Sequence, residues 1–106
     1  MPTFAERERD FENRFRHDHE FQFKVTARRN RLLGLWAARH LGLLGEAADA
    51  YGKHVVDAQF GPGGDQNVID KVATDLGARD PMMTDSRIRF ELRHFAEQAK
   101  QQLMAE

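Results

Sequence analysis

The chain contains no cysteine, which excludes disulfide bonds, thiolate catalysis and metal sites built from cysteine. It also lacks an apolar run long enough to span a bilayer, and its N-terminus is charged where a signal peptide needs apolar residues. Its 16 basic and 17 acidic side chains nearly cancel, which argues against strong global attraction to nucleic acid or an anionic membrane. We therefore expect a soluble, cytoplasmic protein that is stabilised by packing and does not insert into membranes.

Strand-like alternation and internal repeats are absent too, and apolar residues recur instead at helical spacing. A first helix is predicted to bury one face, formed by Phe21, Val25, Leu32, Leu35, Trp36 and Leu43. A second spans residues 46–60 and ends at the "GPGG" sequence. A third begins with Asp65 as its cap and buries Val68, Ile69, Val72 and Leu76. A fourth begins near Thr84 or Asp85 and buries Ile88, Leu92, Phe95, Ala99 and Leu103. With 106 residues, these helices predict one all-α domain, a small four-helix bundle.

Residues 1–20 have helix signals but little apolar surface. Thr3 and Glu6 have the spacing of a capping box, and acid-before-base pairs recur at i,i+4, as in Asp10 with Arg14 and Glu12 with Arg16. Phe4, Phe11 and Phe15 lie within about 40° on a helical wheel. Three rings, each worth about 1.5 to 3 kcal/mol when buried, cannot order a segment whose backbone costs about 1 to 2 kcal/mol per residue. We therefore predict a mobile helical arm over residues 1–20, partly disordered when free, and a bundle domain over residues 21–106. A plain extension of the first bundle helix is the alternative.

No enzymatic site emerges from the pattern. His17 and His19 face different sides of a helix, so no metal site is expected. Gly52 and Lys53 resemble the end of a phosphate loop, but its required glycine and hydroxyl residue are missing. The "GPGGDQN" loop precedes a helix N-terminus where an anion can sit, although most such loops are connectors. We predict no catalytic residue, no metal and no cofactor.

A basic stretch offers a different function. Between Lys24 and His40 there are five lysine or arginine side chains and no acidic one, with Arg28, Arg29 and Arg31 close together. Three or four phosphate contacts give only weak, salt-sensitive binding. On that ground we expect no nucleic-acid partner. The alternative is that the protein is a small helical adaptor or a nucleic-acid-associated protein that uses the patch from Arg28 to Arg31.

The densest signature is "RRNRLLGLWAA" within residues 28–38, preceded by "FAERERDFENRF" and "HDHEFQFK" and followed by "AYGKHVVDAQF". Through these segments the chain resembles the zeta subunit family, the ATPase inhibitors of alphaproteobacterial F1Fo ATP synthases. The resemblance covers nearly the whole chain in register and weakens beyond "DKVATDL". Two departures are the "GPGG" sequence at residues 61–64 and Gly52, where the family usually has alanine; the second helix is therefore expected to be softer here. The resemblance leaves weak nucleotide binding open, and the changed loop at residues 61–64 argues against it.

The resemblance implies a non-enzymatic protein that inhibits the F1 motor. Its N-terminal helix would enter the catalytic α/β interface near γ and block rotation in the hydrolysis direction. The partners implied are the α, β and γ subunits, with the protein peripheral to the inner membrane through the synthase. The residues expected to bind the partner are those of the arm, namely Phe4, Arg7, Asp10, Phe11, Arg14, Phe15 and Arg16.

Overall fold

The computed structural model describes residues 1 and 3–106, which form four α helices and no strand. Helix α1 spans Phe4–His40, α2 spans Gly45–Ala58, α3 spans Asp65–Gly77 and α4 spans Asp85–Ala105. The predicted all-α class is confirmed, and each predicted helix is present. Within the described residues, every helix is either too short or too polar to cross a membrane.

Helix α1 determines the shape of the molecule. Its 37 residues give it a length of about 56 Å, and the protein is correspondingly elongated, with extents of 62 × 26 × 20 Å. The C-terminal half of α1 packs against α2, α3 and α4. All described residues before Phe21 are exposed, whereas Phe21 is half-buried and Val25 is buried. The N-terminal half therefore projects from the bundle as a single helix.

Helix α1 ends where the glycine after it permits a reversal of the chain. Gly42 has a φ of +75°, its N–H donates to the carbonyl of Arg39, and the N–H of Leu43 donates to the carbonyl of Ala38 at 2.9 Å. This pair of bonds is a Schellman motif, in which glycine adopts the left-handed conformation that other residues avoid. It turns the chain so that α2 packs back along α1.

The core contains residues from all four helices, and Leu33, Val55, Val68, Val72 and Ile88 are completely buried. The four apolar residues predicted for α3 are all buried. The predicted inner face of α1 was only partly right, because Leu33 and Ala37 are fully buried and were not included in it. Since α2 and α4 both pack on α1, its buried surface is wider than the single stripe that a helical wheel shows.

The start of α3 also differs from the prediction. Gly64, with a φ of +56°, occupies the capping position, and Asp65 is the first residue of the helix. Its carboxylate binds Arg29 and Gln59. At the start of α4 the prediction is confirmed, because the hydroxyl of Thr84 accepts a hydrogen bond from the N–H of Arg87.

Side chains between the helices complete the packing. The hydroxyl of Tyr51 in α2 donates to the carboxylate of Asp75 in α3 at 2.8 Å. Burial and this hydrogen bond raise the pKa of Tyr51 far above its ordinary value. Trp36 lies between α1 and α4, with its ring centroid 6.3 Å from that of Phe95 and the guanidinium of Arg87 over its face.

Candidate functional site

The arm begins with the capping box expected from its sequence. The hydroxyl of Thr3 accepts from the N–H of Glu6 at 3.2 Å, and the carboxylate of Glu6 accepts from the N–H of Thr3 at 3.1 Å. These two bonds satisfy backbone donors that a helix start otherwise leaves free. The described residues of the arm, 1 and 3–20, are all exposed. The arm is thus a helix that buries none of its side chains in the bundle; its mobility when free stays a prediction.

The aromatic side chains of the arm lie in water. Phe4, Phe11 and Phe15 are 77%, 71% and 62% exposed, although large apolar side chains are among those most often buried. The stripe is exposed because this half of α1 projects beyond the bundle. Contiguous exposed apolar surface of this kind is typical of a protein-binding site.

Phe11 and Phe15 belong to a longer row of side chains. Together with His19 and Phe23 they line one shallow cleft along the helix, and the rings of Phe15 and His19 stack with centroids 5.4 Å apart. Residues four apart form a ridge along the surface of an α helix. We call Phe11, Phe15, His19 and Phe23 the aromatic ridge. A parallel row of alternating charge lines the same cleft, formed by Glu12, Arg16, Glu20 and Lys24.

The charged residues predicted to bind the partner, Arg7, Asp10, Arg14 and Arg16, are all exposed. The expected i,i+4 pairs of Asp10 with Arg14 and of Glu12 with Arg16 are not formed, and within the described residues no ion pair involves the arm. Exposed ion pairs gain little, because holding two long side chains in one geometry costs entropy. The charges of the arm are consequently free to meet charges on a partner.

The basic patch is not a free surface. Arg29 is only 9% exposed and donates to Asn30, Gln59 and Asp65 at 2.9 to 3.0 Å. Arg28 pairs with Glu106 at 2.6 Å. Of the three clustered arginines, only Arg31 remains exposed. The bonds within the chain therefore leave fewer of these arginines available to phosphates than the sequence suggested, because Arg29 is buried and Arg28 is paired.

The same bonds form a network that the sequence did not reveal. Asn30 is fully buried, and its amide donates to the side-chain carbonyl of Gln59, which also accepts from Arg29. Among the described residues, every buried side-chain polar atom has a partner. Asn30, Gln59 and Asp65 lie far apart in sequence, and no spacing rule links them. The network fixes the end of α2 and the start of α3 against α1.

We predict that this network makes the free energy of unfolding depend on pH. Its hydrogen bond to Arg29 lowers the pKa of Asp65, and Gln59 adds to this effect. Since the folded pKa lies below the unfolded one, the stabilisation is complete above the unfolded pKa and is lost as pH falls through the folded value. The free energy lost in Asp65→Asn should therefore be largest near neutral pH and shrink in acid. It should stay below about 1 kcal/mol, because the carboxylate is half exposed.

Urea unfolding of both proteins at about pH 7 and about pH 3 measures this difference. Asp57→Asn is the matched control, since Asp57 is exposed and its carboxylate lies outside the network. It should cost little at either pH. An equal loss for Asp65→Asn at both pH values would contradict a role for its charge.

The "GPGG" loop shows no sign of an anion site. At the start of α3, the N–H groups of Gln66 and Asn67 donate to the carbonyls of Gly63 and Gly64. The carboxylate of Asp65 adds negative charge at the same place. An anion there would lack two of the backbone donors on which such sites depend. The loop is the connector between α2 and α3.

The histidines do not converge. His17 and His19 are both exposed, and His40 packs edge-on against Trp36. Among the described residues, no three histidine, aspartate or glutamate side chains lie close enough together to hold a metal ion.

Two exposed rings at the base of the arm were missed by the sequence reasoning. Phe23 and Phe60 are 61% and 68% exposed, and their ring centroids are 6.3 Å apart. Phe23 follows Phe15 by eight residues and could have been placed on the same ridge by its spacing. Phe60 follows α2 in the loop, and only the tertiary structure brings it to α1.

Comparison with known proteins supports the resemblance found in the sequence. The model of a family described as ATPase inhibitor subunit zeta matches residues 1–102. This range includes the arm, helices α1 to α3 and most of α4. No curated protein and no solved structure matches the chain.

Proposed function

The chain belongs to the ATPase inhibitor subunit zeta family, and from this premise we propose how it inhibits. The arm enters the catalytic α/β interface of the F1 part of ATP synthase near γ, as a helix, and stops ATP hydrolysis. Membership of an inhibitor family suggests a regulatory protein without its own catalytic activity. The proposal needs no cofactor, since the arm blocks the enzyme by occupying space.

The single observation that carries the proposal is an arm helix that buries none of its side chains. The part from Phe4 to residue 20 is about 25 Å long and, with side chains, about 10 to 12 Å wide. Such a helix fits a cleft between two subunits better than a flat surface. Because residues 21–40 of α1 are held by the bundle, the arm extends from a firm base. The bundle remains outside the interface and limits how far the arm enters.

The side chains of the arm have separate roles in this proposal. Phe4, Phe11 and Phe15 bury their rings in the partner, and this burial supplies the binding energy that they lack in the free protein. Arg7, Arg14 and Arg16 pair with carboxylates of the motor, and Asp10 pairs with a lysine or arginine side chain of the motor. Desolvated pairs of this kind select the partner and the orientation of the helix.

The block follows from the way a rotary enzyme works. Each catalytic α/β interface must open and close during every turn, and a ligand that binds one state better than the others shifts the equilibrium toward that state. A helix bound in a partly open interface raises the free energy of the closed one. Rotation in the hydrolysis direction then stops. The inhibitor is bound to the part of the enzyme in the cytoplasm, peripheral to the inner membrane.

The test removes two rings of the arm. We expect Phe11→Ala with Phe15→Ala to raise the concentration for half-maximal inhibition of ATP hydrolysis by at least about 100-fold. Truncating a buried interface aromatic typically costs about 2 kcal/mol or more, and about 1.4 kcal/mol corresponds to a factor of ten. The measurement is steady-state hydrolysis by F1-ATPase from the same source, titrated with each protein.

Asn13→Ala is the matched control. Asn13 is exposed on the same helix, but it lies about 160° around the axis from both Phe11 and Phe15. It should change the concentration for half-maximal inhibition by less than about threefold, as expected for a side chain outside the contact that supplies the binding energy. Equal inhibition by the control and the double variant would refute the arm proposal.

A further inference from the structure

The exposed aromatic surface does not end with the arm. Phe23 belongs to the aromatic ridge but stands at the level of the bundle, two residues before the buried Val25. From Phe11 to Phe23 the ridge runs about 18 Å. A partner that holds Phe11 and Phe15 along this ridge therefore meets Phe23 next, without any change in its direction.

At Phe23 the surface changes from a ridge to a groove. Phe23 and Phe60 both line a cavity of about 330 Å³, which is lined also by Gln22, Thr26, Ala27 and Val56. We call this cavity the root groove. A volume of this order accepts one or two large side chains of a partner.

The root groove is built more firmly than the arm. Asn30 and Gln59 both line it, and both belong to the buried network that ties α2 and α3 to α1. This network holds the end of α2, and with it Phe60, close to Phe23. A site that is already formed loses little conformational freedom on binding, so its contacts contribute more of their energy to affinity.

We propose that the root groove is a second contact for the ATPase, and that it receives an apolar side chain from the same subunit surface that holds the arm. This inference rests on the proposed function of the arm. Continuity favours this occupant, because Phe23 lines the arm cleft and the root groove together. The charged row also continues past the arm to Lys24, so the partner surface has an apolar strip with charges of both signs beside it.

The two contacts have different effects on inhibition. The arm blocks the catalytic interface, whereas the root groove increases the time for which the arm stays bound. Loss of the groove contact should therefore act mainly on the dissociation rate and leave the degree of inhibition at saturation unchanged. Loss of the arm should abolish inhibition itself.

The experiment uses the full chain with Phe23→Ala and Phe60→Ala together. We expect half-maximal inhibition to require about tenfold more protein, dissociation from F1-ATPase to be faster by a similar factor, and inhibition at saturation to remain complete. Phe90→Ala is the matched control, because Phe90 is also an exposed phenylalanine, at 59%, but lines neither the arm cleft nor the root groove. It should behave as the wild type.

A second variant fills the groove without removing a ring. Gln22 is exposed and lines the groove, so Gln22→Trp should weaken inhibition to a similar extent while Phe23 and Phe60 stay in place. Circular dichroism and melting of each variant confirm that the fold is kept. Inhibition unchanged in both variants would overturn the proposal.

Failure of the groove is distinguishable from failure of the arm. If Phe11→Ala with Phe15→Ala raises the concentration for half-maximal inhibition as expected while the groove variants act as the wild type, the arm proposal stands and the groove proposal falls. A second result would also overturn the groove proposal. Sedimentation would show that the free chain is a dimer and that Phe23→Ala with Phe60→Ala converts it to a monomer. The occupant of the groove would then be a second copy of the chain.

Discussion

Removal of residues 1–20 is expected to abolish inhibition of ATP hydrolysis completely while leaving the bundle folded. The described residues of the arm bury no side chain in the bundle, so their loss removes almost no stabilising contact. Surface changes of this kind usually alter the free energy of unfolding by less than about 0.5 kcal/mol. The shortened chain should therefore melt at nearly the temperature of the full chain and fail to inhibit F1-ATPase at any concentration tested.

The measurement pairs steady-state hydrolysis with thermal melting followed by circular dichroism. The truncated chain should add no inhibition but bind weakly through the root groove and slow the rate at which full-length protein associates. Inhibition by the truncated protein equal to that of the full chain would place the inhibitor in the bundle. Loss of folding on truncation would show instead that the arm stabilises the bundle.

The largest expected effect on stability concerns the crossing of α1 and α2. A Cβ atom on Gly34 would lie 2.7 Å from the Cα of Gly52 and 3.2 Å from the Cβ of Val55. Two backbones cannot yield as a flexible side chain can, so Gly34→Ala must push the helices apart. Overpacking of this kind typically costs about 1 to 3 kcal/mol, and we expect a fall in melting temperature of about 10 °C.

Gly52 supplies the matched control from the other side of the same crossing. A Cβ atom there would be 3.6 Å from the nearest side chain, that of Leu35, which is ordinary van der Waals contact. Alanine is favoured over glycine inside a helix by about 1 kcal/mol, so Gly52→Ala should leave the melting temperature unchanged or raise it. A similar loss of stability in both variants would mean that the crossing has no room for a methyl group on either helix, and an unchanged melting temperature for Gly34→Ala would mean that close approach does not govern this crossing.

This asymmetry changes the meaning of a departure from the family pattern. Glycine in place of alanine at position 52 was expected to soften the second helix, and its low helix propensity supports that expectation. The structure adds that α2 tolerates a methyl group at this position. The tight fit belongs to Gly34 of the "RRNRLLGLWAA" segment instead.

Local sequence patterns determined much of this protein. Helix periodicity, capping residues and the glycines that end helices depend on neighbours within about four positions, and they located the helices, the capping box at Thr3 and the cap at Thr84. The exposed stripe of Phe4, Phe11 and Phe15 was also readable, because its angle about the helix axis depends only on spacing. So was the family, from a run of residues too unusual to arise by chance.

Only the tertiary structure decided which side chains are buried or paired within the fold. Arg29 looks like part of a basic surface until Gln59 and Asp65, 30 and 36 residues away, surround it. Phe60 becomes part of a groove only because α2 ends beside Phe23. Contacts between residues distant in sequence arise when helices pack, and no local period encodes them. The sequence alone therefore determined the helices and the arm, whereas packing decided the extent of the inner face of α1, the fate of the basic patch and the root groove.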